Sequence, residues 1–121
     1  MLIKWSIPQI SYKGEAYVIC ISPKEYIERI HIKHRMTPEQ LKRYAERTKG
    51  KYLEYPPESE ESKKIIRQKI QRGEVIEMPW IWYRKDLVWE QEGYHRALVT
   101  RDLGIDKIPV FIIEEKQEHL S

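Results

Sequence analysis

One cysteine, Cys20, is all this 121-residue chain has. No disulfide framework can form within it, so a reducing compartment is expected. Long hydrophobic runs are also missing: none approaches the ~20 apolar residues that cross a bilayer. Residues 1–8 lack the basic start and apolar stretch of a secretory signal. Internal repeats and low-complexity segments are absent. These absences exclude a disulfide-stapled scaffold and a membrane span, and lead to the expectation of a soluble cytoplasmic protein. Cys20 lies in an apolar run and reads as a core residue. No cysteine cluster or acidic pair accompanies His31 and His34, which could otherwise share a helix face as metal ligands at i and i+3. They read as a surface pair.

What is present suits one domain over residues 1–121. At 40% hydrophobic residues the chain can bury a core without a metal or disulfide. Its 34% charged residues, with isoleucine-rich aliphatic positions, suit a heat-adapted protein carrying surface ion-pair networks. The net charge of +3 is unevenly spread: residues 24–51 hold nine Lys/Arg against four acids, and residues 62–72 hold five and none. A basic middle within an acidic remainder can meet an anionic partner with one face.

Residues 16–21 (AYVICI) read as a buried strand. Ser22-Pro23-Lys24-Glu25 has serine at the N-cap, proline at the first helical position and glutamate at the third, a capping box stapled by Ile21 and Tyr26. A helix is predicted over 23–34, burying Tyr26, Ile27 and Ile30. Thr37-Pro38-Glu39-Gln40 repeats the device, stapled by Met36 and Leu41; this helix is expected to bury Leu41, Tyr44 and Ala45 and to end at Gly50. Residues 52–57 form a linker. A third helix begins near Ser59, acidic in its first turn and basic later, with Ile66 and Ile70 on one face and Gly73 at its end. Strands over 79–83 and 87–90 form a hairpin through Arg84-Lys85-Asp86. Alternation puts Trp80 and Trp82 on one face, Ile81 and Tyr83 on the other. A helix over 93–103, closed by Gly104, leads to a last strand over 108–113, with a frayed tail from Glu114. The order β-α-α-α-β-β-α-β makes the class α+β, or mixed α/β.

The segment that carries chemistry is 88–110 (VWEQEGYHRALVTRDLGIDKIPV). A strand ends in an acidic turn containing glycine, and a helix then opens with His-Arg. The first N–H groups of a helix lack partners and form its positive end, which receives phosphate. Gly93 lets backbone approach an anion, and the Arg96 guanidinium matches phosphate oxygens in pairs. A cation in the first turn opposes the helix dipole, a conflict that a bound anion would resolve.

The pattern acidic-Gly-x-His-Arg-Ala, then Leu-Gly-Ile-x-x-Ile-Pro-Val, resembles that of ParB-like and sulfiredoxin-like domains. So does Ile70-Gln71-Arg72-Gly73-Glu74 followed by Met78-Pro79-Trp80. The resemblance covers about residues 65–113. It implies a small ParB/sulfiredoxin-like domain with a phosphate site at the strand–turn–helix: Gly93, His95 and Arg96 match the motif, Glu92 matches its acidic position, and Tyr94 completes the turn. The implied ligand is a nucleoside triphosphate or diphosphate, with or without Mg2+. Members include CTP-binding partition proteins, ATP-dependent sulfinic-acid reductases, free-serine kinases and proteins described as nucleases, so NTP hydrolysis and phosphotransfer both stay open. Sulfiredoxins place their catalytic cysteine where Tyr94 stands, so reductase activity is not expected. Partition proteins add a second arginine near the motif and a long DNA-binding and dimerisation region; a chain ending at Ser121 is expected to differ from them, and from the longer serine kinases.

The alternative is a nucleic-acid-binding or nuclease-like module. The helices flanking Arg35 outline a helix-turn-helix, and Lys42, Arg43, Arg47 and Lys49, with Lys51, could meet DNA. An ordinary helical hairpin with a solvated face explains the same residues. The clustered Trp80, Trp82 and Trp89 suit core packing, or stacking on a base. Glu15, Glu25 and Glu28 are candidate catalytic carboxylates, with no ground for choosing among them.

Overall fold

The computed structural model describes residues 2–50 and 57–115. The elements are β1 (Lys4–Ser6), β2 (Glu15–Ile21), α1 (Pro23–Ile30), α2 (Ile32–Arg35), α3 (Pro38–Thr48), α4 (Glu60–Gln71), β3 (Val75–Glu77), β4 (Trp80–Arg84), β5 (Leu87–Glu92), α5 (Tyr94–Asp102) and β6 (Ile108–Glu115). The class is α+β.

The main sheet has the order β2-β6-β4-β5. β6 pairs antiparallel with β2 and parallel with β4, while β4 and β5 form the antiparallel hairpin. The β5–α5–β6 connection therefore passes over β4. A central strand buried on both faces needs an unbroken apolar run rather than alternation; β6 supplies it, with Val110, Phe111, Ile112 and Ile113 all buried. The hairpin turn is made by Lys85 and Asp86, both at positive φ (54° and 62°), the two-residue geometry that follows the twist of paired strands.

One face of the sheet packs on α1 and α5: Tyr26, Ile27 and Ile30 meet Ala97, Leu98, Ile81, Val88 and Ile112. Each such large side chain contributes about 1.5–3 kcal/mol by leaving water. Trp80 and Trp82 lie on the opposite face with Phe111, Ile113 and Met78, as alternation requires. There the segment before β2 covers the sheet, and Tyr12 meets Phe111 edge-on at 5.7 Å. A third cluster, Ile70, Ile76 and Val99, binds α4 and β3 to α5.

Several expectations are corrected. β2 is an edge strand and largely exposed, and Cys20 is exposed rather than core. The helix from Pro23 stops at Ile30: His31 is extended (ψ 143°), and its Nδ1 accepts the Lys33 N–H at 3.2 Å, capping α2. His31 and His34 thus do not share one continuous helix. Ser22 accepts the Glu25 N–H, but the Glu25 carboxylate turns to Arg29 one turn on, at 3.0 Å, instead of closing a box. The box at Thr37 does close, through Gln40. Leu41, Tyr44 and Ala45 share a face of α3 that is only half-buried. Glu114 and Glu115 belong to β6, and Glu115 accepts from both Trp82 Nε1 and Arg84 Nε at 3.0 Å. β1 and β3, a short parallel pair, were not foreseen. Most of the expected linker lies outside the described residues.

Candidate functional site

The turn between β5 and α5 is shaped by Gly93. Its φ of 138° is one that side chains resist. A Cβ there would overlap the Pro79 ring and stand 3.0 Å from the Tyr26 hydroxyl. The missing side chain thus makes room for Pro79, a packing role that the motif alone does not reveal. Gly93 is the N-cap of α5 and supplies no side-chain cap, so the first N–H groups of the helix are left without that partner.

These groups border a cleft of about 450 Å³. Its walls come from α4 (Ser62, Lys69), β3 (Glu77) and the turn itself (Glu92, His95, Arg96). Arg96 Nη1 is buried and, among the described residues, has no hydrogen-bond partner. His95 is engaged: its Nε2 accepts the Ser59 N–H at 2.9 Å, which ties α5 to the start of α4. Only a neutral imidazole can accept there, with its proton on Nδ1. Glu58 strengthens the joint, reaching Lys63 at 2.9 Å and Arg101 at 3.8 Å. Tyr94 does not line the cleft; its ring packs on the main core and meets His95 edge-on at 5.3 Å.

Tyr26 lies behind the turn, fully buried, and donates to the Trp80 carbonyl at 3.2 Å. Burial pushes its hydroxyl far above the ordinary 10.0; the Arg96 guanidinium opposes the shift and the Glu92 carboxylate adds to it. A folded-state pKa raised above the unfolded one gives stability that is complete below about pH 10 and is lost as pH rises beyond it. Tyr26→Phe should cost about 1 kcal/mol near neutrality through the lost hydrogen bond, and should flatten the alkaline decline. Urea midpoints of both proteins between about pH 8 and 11 check this; parallel declines would refute it.

The other sequence candidates are scattered. Glu15, Glu25 and Glu28 do not line this cleft; among the described residues its carboxylates are Glu77 and Glu92. Glu77 was missed because it sits on a three-residue strand. Among the described residues, no group of three or more His, Cys, Asp or Glu could hold a metal ion. Arg43 and Arg47 line a second groove, between α3 and the β4–β5 hairpin, whereas Lys42 and Lys49 are exposed and do not line it. Among the described residues, no helix is long and apolar enough to cross a membrane.

The chain matches no family model, no curated protein and no solved structure.

Proposed function

We propose that the cleft at the start of α5 binds a nucleoside diphosphate or triphosphate by its phosphate groups. The observation that carries this is Arg96 Nη1, buried without a partner among the described residues, beside a helix N-terminus that has no side-chain cap. A buried donor left unsatisfied costs about 1–3 kcal/mol, more when charged, and phosphate oxygens would remove that cost. The α5 N–H groups and dipole favour the same anion, and Lys69 brings a second cation to the cleft. Glu77 and Glu92 fit a magnesium ion, which is commonly held by one or two carboxylates together with substrate phosphates. The ParB/sulfiredoxin resemblance of this turn agrees with such a ligand. A general base for hydrolysis or phosphotransfer would come from the same two carboxylates, since His95 Nε2 is occupied.

The test is a thermal-shift panel of ATP, ADP, CTP and GTP, with and without magnesium. A ligand binding only the folded state adds about 2.7 kcal/mol at a hundredfold excess over its dissociation constant, a rise on the order of 10 °C for a chain of this size. One nucleotide should produce that rise. A flat panel would refute the reading.

A further inference from the structure

The groove between α3 and the β4–β5 hairpin has a chemistry of its own. It encloses about 700 Å³, and among the described residues five of those lining it are cations: Arg35, Arg43, Arg47, Arg84 and Lys85. Among the described residues, no carboxylate lines it. Arg84 is balanced by Glu115 at 3.0 Å; among the described residues the other four have no ion-pair partner. Arg35 Nε is buried and, among the described residues, has no hydrogen-bond partner. Between the cations lie apolar and aromatic surfaces, Leu87, Val88, Tyr44 and Trp89. Trp89 is 47% exposed on a strand, with the Arg84 guanidinium 3.9 Å from its ring centre. Arg84 covers one face of the ring, and the exposed remainder offers a flat apolar surface beside the cations on which a base can stack.

Cations alternating with flat rings suit an anion that carries flat apolar groups. Free phosphate would not use the rings, and an acidic peptide would not need them. A duplex keeps its base faces stacked internally. We propose that this groove holds a single-stranded polynucleotide, its phosphodiesters on Arg35, Arg43, Arg47 and Lys85 and an unpaired base against Trp89. Arg35 and Trp89 also border a smaller cleft that carries Glu90 and Glu92. Those carboxylates repel phosphodiesters, so the backbone ends its path at Trp89. The site shares no residue with the cleft at α5, and either can exist without the other.

Fluorescence anisotropy of the whole chain with labelled oligo(dT) and oligo(U) tests this, against a duplex of equal length and poly-glutamate as competitors. Single strands should bind, with a log–log salt slope near −2.8 if about four phosphates are neutralised. Trp89→Ala should weaken binding on the order of 10- to 100-fold, with Trp89→Phe restoring most of it. Arg43→Gln with Arg47→Gln, both on the exposed face of α3, should make the slope shallower by about 1.4. Lys64→Gln, an exposed change on α4, should alter neither. A preference between the DNA and RNA strands would identify the sugar. Binding of duplex or poly-glutamate as tight as that of the single strands, an unchanged affinity in a folded Trp89→Ala protein, or no binding at low salt would each overturn the proposal.

Discussion

Gly93→Ala is expected to cost roughly 3–5 kcal/mol, the sum of a strained φ and an overpacked contact. That is a large share of the stability of a small protein. The φ of 138° is the first contribution. The second is the Pro79 ring, which lies where the new methyl group would go and is itself fully buried. Neither neighbour is the loose end of a flexible chain, so the turn must shift, and the Tyr26 hydrogen bond to Trp80 with it. Gly73→Ala is the control: it shares a positive φ of 71° but has open space where the Cβ would go, so it should cost only about 1 kcal/mol. Urea denaturation of the two variants decides. Equal costs would mean that Pro79 yields easily and that Gly93 is not a packing glycine.

Arg96→Ala should have the opposite character. In the ligand-free protein it removes a buried donor that has no partner, so stability should stay level or rise by up to about 1 kcal/mol. Nucleotide affinity should fall roughly 10- to 100-fold, the loss expected for charge-assisted hydrogen bonds of about 1.5–3 kcal/mol. A residue that strains the empty site and serves the filled one is the pattern of function bought at the expense of stability. If Arg96 only orders the turn, Arg96→Ala would instead lower the urea midpoint and leave nucleotide titrations unchanged. Measuring both quantities on one preparation separates these cases.

Much of the frame could be read from local signals because local chemistry decides it. Ser22, Thr37 and Ser59 each accept an N–H three residues on, in the first turn of the helix they begin. The hairpin and the alternation of Trp80, Ile81, Trp82 and Tyr83 followed from strand geometry. The missed features depend on distant partners. β1 and β3 are three residues each, and each is a strand only through the other, some seventy positions away. The exposure of β2 follows from its place at the edge of the strand order, which a β-branched run does not encode. The break at His31 comes from a side chain capping the next turn, a competition that apolar spacing does not register. At the site, the motif located Arg96 and His95, yet only the fold shows that His95 holds Ser59, that Tyr94 is a packing residue and that Glu77 joins the cleft.

The most direct test of the central claim is a titration of isotope-labelled protein with each nucleotide, followed through its backbone amide resonances. The N–H groups of Tyr94, His95 and Arg96 should shift progressively and saturate, with those of Ser62 and Glu77 across the cleft moving less. Saturation confined to other surfaces, or no shift in the first turn of α5 with any nucleotide, would contradict the assignment of a phosphate site there.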